Sequence, residues 1–252
     1  MTNKFYAPGE QRAARVNDLF AAVAPRYDLI NDLQSFGLHR RWKRRLVWLA
    51  RVKPGDRALD LCCGTGDIAF ALAARGAAVI GLDSSKRMLA IAEKRKAKVR
   101  KPSTGGALAQ VEFLRGDAQQ LPLPDGSFDI VTVGYGLRNL PSWEAGLGEM
   151  QRVARPGARL LVLDFGKPDY RPWRWLYFNY LRLFVPMLGR IVCSDAAAYA
   201  YILESLKHYP AQRGVAAKMR ESGLVRVRVE NLLGGAMSIN YSEKAQRDEK
   251  LE

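Results

Sequence analysis

The stretch Ala58-Leu59-Asp60-Leu61-Cys62-Cys63-Gly64-Thr65-Gly66-Asp67 decides the fold. Ala58 to Cys62 is a short apolar run holding one acid, the pattern of a strand buried on both faces. Gly64 and Gly66 end it in a tight turn, because glycine enters left-handed backbone at no steric cost. A helix from Gly66 to Arg75 follows. Outward from this unit the alternation continues. Ala77 to Asp83 reads as a second strand, and Ser84 as the cap of a long basic helix through Val99. Lys101 to Gly106 reads as a loop and Val111 to Arg115 as a third strand. Phe128 to Tyr135 is a fourth. Trp143 to Ala154 is helical until Pro156-Gly157 breaks it, and Arg159 to Phe165 is a fifth strand. Strands alternating with helices mean βαβ units and a mostly parallel sheet. Ligands of such sheets sit outside the carboxyl ends of the strands. That rule singles out Asp60, Asp83, Asp117 and Tyr135, all at or just beyond a strand end.

The flanks are helical. Residues 11–50 form an amphipathic N-terminal extension, and residues 171–207 an aromatic- and Arg-rich insert. Ala211 to Ser222 reads as a further helix. Leu224 to Glu230 and Ala236 to Tyr241 read as a closing antiparallel hairpin. The expected organisation is one domain over 1–252: helical extension 1–50, cofactor-binding core 55–168, helical substrate lid 169–210, and C-terminal helix and strands 211–252.

Composition narrows the class. The 252 residues hold 40 Lys and Arg against 25 Asp and Glu, a net charge of +15. Hydrophobic residues at 48% and aromatics at 10% exclude a disordered chain. Three cysteines (Cys62, Cys63, Cys193) exclude a disulfide scaffold and predict a reduced, cytoplasmic protein. With two histidines, His39 and His208, and no ligand spacing, no metal site is expected. Met1 to Asn17 has no apolar signal core. Leu176 to Cys193, the most apolar stretch, is broken by Arg182 and Arg190, so no membrane span is expected. The charge is clustered: Arg40, Arg41, Lys43, Arg44 and Arg45 form one run, and the segment from Lys86 to Lys101 another. Such runs suit a nucleic acid or an anionic membrane surface, or form a solvated helix face.

The glycine turn also fits G-x-G-x-x-G/A, with Ala69 last, which raises a dinucleotide site. Its charges argue against one. A pyrophosphate would rest on the helix N-terminus, where Asp60 and Asp67 would repel it. Those acids suit the sulfonium and ammonium of S-adenosylmethionine. Asp83 lies 23 residues beyond Asp60, at the distance where an acid holds ribose hydroxyls. Asp117, in Gly116-Asp117-Ala118, can accept from the adenine amino group. Gly134-Tyr135-Gly136-Leu137-Arg138-Asn139 ends the fourth strand with two glycines that bring backbone close to a ligand. Arg138 and Asn139 then stand at the mouth of the site. The insert interleaves Trp173, Trp175, Tyr177, Phe178 and Tyr180 with Arg171, Arg174 and Arg182. It reads as a lid lying on a membrane, as a base-stacking surface, or as a core helix pair.

Longer signatures carry a resemblance. Tyr27-Asp-x-x-Asn31-Asp32-x-x-Ser35-x-Gly-x-His39-x-x-Trp42 and Arg152-Val-Ala-Arg-Pro156-Gly157-Ala-Arg-Leu-Leu-Val-Leu-Asp164-Phe165 resemble the two signatures of the ubiquinone/menaquinone biosynthesis C-methyltransferases, the demethylmenaquinone methyltransferase family. Gly136-Leu-Arg138-Asn139, Asp195-Ala-Ala-Ala-Tyr199 and Glu204-Ser205 are similar to its other motifs. The resemblance runs from about Val16 to Tyr241. It implies a class I S-adenosylmethionine-dependent methyltransferase fold: a Rossmann-like seven-stranded sheet, the last strand antiparallel, with an N-terminal helical extension and an insert after strand five. It implies C-methylation of a polyprenylated quinol ring, demethylmenaquinol to menaquinol, with the ubiquinone and phylloquinone branches as alternatives. The chain departs from the family at several places. Cys62 replaces the usual first glycine, as in the phylloquinone-type branch. Gly134 stands where some members have Ser. Asp164-Phe165-Gly166 replaces Glu-Phe-Ser, and the last strand lacks a His, with Ile239-Asn240 nearby.

The expected cofactor site is Asp60, Gly64, Thr65, Gly66, Asp83, Ser84, Asp117, Ala118 and Gly134. A quinol hydroxyl with pKa near 10 must lose its proton to activate the ring. Arg138 is expected to clamp the phenolate, Asn139 to orient the ring and His39 to act as base, with Asp32 or Tyr27 orienting it. The partners expected are the polyprenylated quinol and an anionic membrane, met peripherally from the cytoplasmic side; a homodimer is compatible with this. No nucleic acid is expected. The chain lacks the Asp/Asn-Pro-Pro-Tyr motif of amino-nitrogen methylation and the Pro-Cys or Thr-Cys nucleophile of cytosine C5 chemistry. A non-enzymatic membrane module would not need its intact set of acids and glycines.

Overall fold

The computed structural model describes residues 11–99, 110–193 and 196–246. Three helices come first: α1 (Gln11–Val23), α2 (Tyr27–Ser35) and α3 (Leu38–Leu49). The alternating core is β1 (Arg57–Leu61), α4 (Asp67–Ala73), β2 (Ala78–Asp83), α5 (Lys86–Val99), β3 (Val111–Arg115), β4 (Phe128–Gly134), α6 (Trp143–Val153) and β5 (Ala154–Phe165). The insert is α7 (Arg171–Asn179), a π-helical turn at Tyr180–Phe184, α8 (Val185–Cys193) and α9 (Ala196–His208). The chain closes with α10 (Ala211–Glu221), β6 (Leu224–Leu232) and β7 (Met237–Lys244).

One seven-stranded sheet runs in the order β3-β2-β1-β4-β5-β7-β6. β1 to β5 are parallel, and β7 runs antiparallel to both β5 and β6. This is the seven-stranded sheet, its last strand antiparallel, that the family resemblance implied. The order reverses between β1 and β4, which opens a crevice at their carboxyl ends.

Helices cover both faces, so the central strands are apolar throughout. On one face α3 (Leu46, Val47) and α4 (Ile68, Leu72) pack on Val79, Ile130 and Leu161. On the other α6 (Leu147, Met150), α9 (Leu206) and α10 (Val215, Met219) pack on Leu59, Val131 and Leu160. Each such side chain contributes about 1.5–3 kcal/mol on full burial.

Two local expectations are corrected. Pro156-Gly157 ends no element: β5 already starts at Ala154. The pairing steps from Phe128↔Ala154 to Ile130↔Arg159, so the extra residues, with Gly157 at φ +77°, form a bulge inside the strand. Nor does Ser84 cap α5. Ser85 Oγ receives the Met88 amide at 3.4 Å, while Ser84 Oγ donates to Asn17 at 2.7 Å. Lys101 to Gly106 and Asp195, named above, lie outside the described residues, as does the side chain of Tyr199.

Candidate active site

Two adjoining cavities occupy the crevice. The first, about 530 Å³, is lined by the ends of β1, β2, β3 and β4: Gly64, Asp83, Ser84, Asp117, Ala118 and Gly134, with Asn139. Val16, Asn17 and Phe20 of α1 roof it. Asp83 shapes its floor, receiving the Gly64 amide on one oxygen and the Ser85 amide on the other, both at 2.8 Å. Burial pushes its carboxyl above the ordinary value, against the pull of those amides. The carboxylate of Asp117, exposed at the far end, receives the Gln119 amide at 2.9 Å and side-chain contacts from Gln119.

Three expected cofactor residues do not line this cavity. Gly66, at φ +88°, lies under Phe70 and Phe113, where a Cβ would sit 2.8 and 2.9 Å from their rings. It serves packing. Thr65 is buried and receives Arg95 on its hydroxyl at 2.9 Å and on its carbonyl at 3.1 Å. Asp60 is 1% exposed and sits behind the turn, receiving Thr132 Oγ1 at 2.7 Å. Burial raises its pKa to about 7, against the Thr132 bond. It is therefore half-protonated near neutrality and does not offer a fixed negative charge. Asp67 does not face the ligand either. Burial pushes its pKa up, but Lys43 (2.7 Å) and Arg95 (2.6 Å) hold it down to about 2. Its charge is spent on those cations.

The glycine substitution at the turn has a conformational answer. Cys62 takes φ +51°, a left-handed backbone that glycine enters without steric cost. Gly136 packs on it, so that a Cβ there would lie 2.3 Å from the Cys62 Cβ.

The remaining residues fit S-adenosylmethionine. Asp83 and Asp117 bring carboxylate acceptors into the first cavity, the kind of partner that ribose hydroxyls and an adenine amino group would need. Asn139 adds a buried amide oxygen that has no partner among the described residues. That orphan acceptor suits a cationic or N–H-bearing ligand.

The second cavity, about 360 Å³, is apolar. Leu19, Ile30, Trp42, Phe165, Tyr177 and Tyr180 are among its walls. It shares Phe20 and Tyr135 with the first cavity, so those two rings form the partition. Tyr135 is held at φ +62° and meets Phe165 edge-on at 6.0 Å.

His39 reaches the second cavity from the start of α3. It is 4% exposed, and its Nε2 lies 2.8 Å from Asp32 Oδ1. Asp32 is itself gripped by Arg40 at 2.8 and 2.5 Å. Burial lowers the His39 pKa, with Asp32 pulling the other way. The ring is therefore neutral at pH 7. A neutral ring donating from Nε2 to the carboxylate carries its lone pair on Nδ1. Nδ1 is buried with no partner among the described residues.

Arg138 also lines this cavity, but not as a bare charge. Its Nη1 donates to Asp164 Oδ1 and to the Tyr135 carbonyl, each at 2.7 Å. Its guanidinium lies over the Phe165 ring at 4.5 Å. Asp164 cancels the charge, so the expected clamp is corrected: Arg138 brings oriented N–H groups rather than unpaired positive charge. Asn139 faces the first cavity, not the ring site, and its Nδ2 donates to the Tyr135 carbonyl at 2.9 Å. Tyr27 opens α2, and its side chain lies outside the described residues.

Sequence reasoning missed Asp164 as Arg138's partner and Phe20 and Tyr135 as the partition. Asp164 had a signal: an acid ending an otherwise apolar buried strand needs a cation. Phe20 had none, since nothing local says which face of α1 is a roof.

Known proteins show the family and the fold. The model of the ubiE/COQ5 methyltransferase family matches residues 9–244. The demethylmenaquinone methyltransferase of Desulfitobacterium hafniense is 40% identical over 243 residues, 94% of this chain and 92% of that protein. That of Beutenbergia cavernae is 42% identical over 229 residues, 91% and 90%. The ubiquinone/menaquinone biosynthesis C-methyltransferase UbiE of Ectopseudomonas mendocina is 39% identical over 241 residues, 94% and 91%. Among solved structures, a SAM-dependent methyltransferase of Thermotoga maritima superposes with TM-score 0.64 at 20% identity, over 90% of this chain and 98% of that one. Haemonchus contortus phosphoethanolamine N-methyltransferase 2, solved with S-adenosyl-L-methionine, gives 0.58 at 16% identity, over 82% and 53%.

Proposed function

The chain belongs to the ubiE/COQ5 methyltransferase family, and from that premise we propose that it converts demethylmenaquinol to menaquinol. It is an S-adenosylmethionine-dependent C-methyltransferase of quinone biosynthesis. The observation that carries the substrate reading is the pair of cavities. One that brings in the carboxylates of Asp83 and Asp117 suits the cofactor, and an apolar one holding a neutral histidine abuts it across Phe20 and Tyr135.

Asp83, Asp117 and Asn139 would hold the cofactor, whose sulfonium supplies an electrophilic methyl group. The chain's own residues do the rest. The apolar walls seat the ring and exclude water. His39 Nδ1 accepts the hydroxyl proton, and Asp32 holds the imidazolium that results. A phenol near pKa 10 and an ordinary imidazole near 6.5 differ by enough to make such a transfer uphill by about 5 kcal/mol, and the lowered pKa of His39 adds to that. The N–H groups of Arg138 and the dry cavity must offset that cost as negative charge grows on the oxygen. Overall, ring C–H becomes C–CH3. The ring proton that leaves restores the hydroxyl, and one proton is released.

A lipid substrate also supports a peripheral position on the cytoplasmic face of a membrane. Among the described residues no helix is long and apolar enough to cross one, and a charge of +15 favours anionic lipid.

The test is methyl incorporation by the purified enzyme from labelled S-adenosylmethionine into reduced demethylmenaquinone. Labelled menaquinol is the expected product. Labelling of a desmethyl benzoquinol alone would move the enzyme to the ubiquinone branch. Labelling of neither would overturn the quinol reading.

A further inference from the structure

The apolar cavity opens at a rim of three exposed residues: Phe36 (75% exposed), Leu176 (52%) and Leu233 (51%). Exposed apolar side chains this large, lining a cavity and facing solvent together, call for a cover. The rim continues onto the insert. Trp175 (70%), Leu183 (64%) and Met187 (50%) are exposed there as well, and Phe36 stacks on Phe184 of the π-helical turn at 6.5 Å.

The charge around this surface is one-sided. From Arg171 to Cys193 the chain holds Arg171, Arg174, Arg182 and Arg190 and no acid. A groove of about 560 Å³ gathers Arg171, Arg174, Arg182 and Lys207 around Trp175 and Phe178. Lys207 is paired with Glu204 at 2.9 Å, and Arg174 is turned to the carbonyls of Pro168 and Asp169 at 2.7 and 2.9 Å. Among the described residues Arg171 and Arg182 form no ion pair.

We propose that this face of α7, the π-helical turn and α8 docks on an anionic lipid bilayer, its arginines on the headgroups and its apolar side chains below them. A lipid-borne ring then enters the cavity over Phe36 and Leu176 without crossing water. The residue types select this occupant. Aliphatic Leu183, Met187 and Leu176 give a nucleic acid nothing to stack on. A second copy would bring four more arginines against these four. An anionic bilayer satisfies both the apolar and the cationic groups.

The inference rests on the quinol reading, and its test separates the two. Wild-type protein is sedimented with vesicles of phosphatidylglycerol in phosphatidylcholine, beside three double variants. Arg171→Glu with Arg182→Glu, and Trp175→Ser with Leu183→Ser, should each lower partitioning about tenfold or more. Lys94→Glu with Lys98→Glu, on α5, makes the same charge change and should cost under threefold. Every variant should methylate a short-chain quinol in solution at the wild-type rate. Unchanged partitioning of the insert variants, an equal loss from the α5 variant, or loss of soluble-substrate activity in the insert variants would each overturn the docking face. Failure of the wild type on every quinol is instead failure of the substrate reading, and partitioning then decides the docking face alone.

Discussion

His39 and Arg138 face one cavity but differ in how their charge is kept. His39 is neutral because burial lowers its pKa below the ordinary value. Its activity as a base is therefore lost only below the pH at which an ordinary histidine takes up its proton. We expect the acid limb of kcat/KM to lie under that pH. Asp32→Asn removes an influence that raises the His39 pKa, so it should shift the limb further down while lowering kcat. His39→Gln should cost about 10²-fold in kcat at pH 7.5 and abolish the limb. A His39→Gln profile matching the wild type would remove His39 from the chemistry. Arg138 keeps its charge because Asp164 compensates it in a site where both are nearly sealed from water. Arg138→Ala would leave Asp164 buried and alone, at a cost of about 3–5 kcal/mol in stability. Its inactivity would then say little about catalysis. The double variant Arg138→Met, Asp164→Leu should regain most of that stability in urea unfolding and stay inactive. Recovery of activity with stability would make the pair purely structural. The sequence singled out Arg138, whereas Asp164 stood there only as part of a signature. It could not show that the second neutralises the first, because the partners lie on different strands' ends.

At the scale of elements, the turn after β1 is where reading and structure differ most. Its residues read as a cofactor turn, and Gly64 and Asp83 line the cavity at the sheet's carboxyl edge. Its acids Asp60 and Asp67 were read as facing a ligand, because sequence gives no burial. Asp60 sits behind the turn, and Asp67 is clamped between α3 and α5 through Lys43 and Arg95. The position of Asp60 makes a stability prediction. Its pKa is about 7 when folded and near 3.8 when unfolded. Between those values the native state binds the extra proton, so stability falls as pH rises from about 4 to 7. The limit of that fall is about 4 kcal/mol. Asp60→Asn should remove this slope and leave the variant more stable than wild type at pH 8 in thermal melts run side by side. Identical slopes would mean that Asp60 stays ionised in the fold. Cys62 makes a smaller one. A side chain at φ +51° costs about 1 kcal/mol relative to glycine, so Cys62→Gly should hold its melting temperature despite the lost packing on Gly136. The bulge in β5 and the cap at Ser85 were off by a few residues, since both depend on the neighbouring strand or helix.

Across the whole molecule, the alternating core was legible and its cover was not. β1 to β5 could be counted off the sequence because each strand carries its own apolar run between turn residues. The roof could not, because its fastenings join distant residues. Arg12 donates to the Arg138 carbonyl at 2.6 Å across 126 positions, and Ser84 to Asn17 at 2.7 Å across 67. No local pattern announces such bonds. Their placement matters for the order of events. α1 lies over the cavity of Asp83 and Asp117 with Val16, Asn17 and Phe20, and Phe20 reaches the apolar one as well. A cofactor seated on Asp83 and Asp117 therefore leaves by displacing α1, whereas the rim at Phe36 and Leu176 opens elsewhere. Two hydrogen bonds of about 0.5–1.5 kcal/mol each hold the roof at these points. Arg12→Gln with Asn17→Ala should thus speed release of S-adenosylhomocysteine about tenfold in stopped-flow displacement, with the KM for quinol unchanged. If release is unchanged while quinol KM rises, α1 shapes the ring site and does not gate the cofactor.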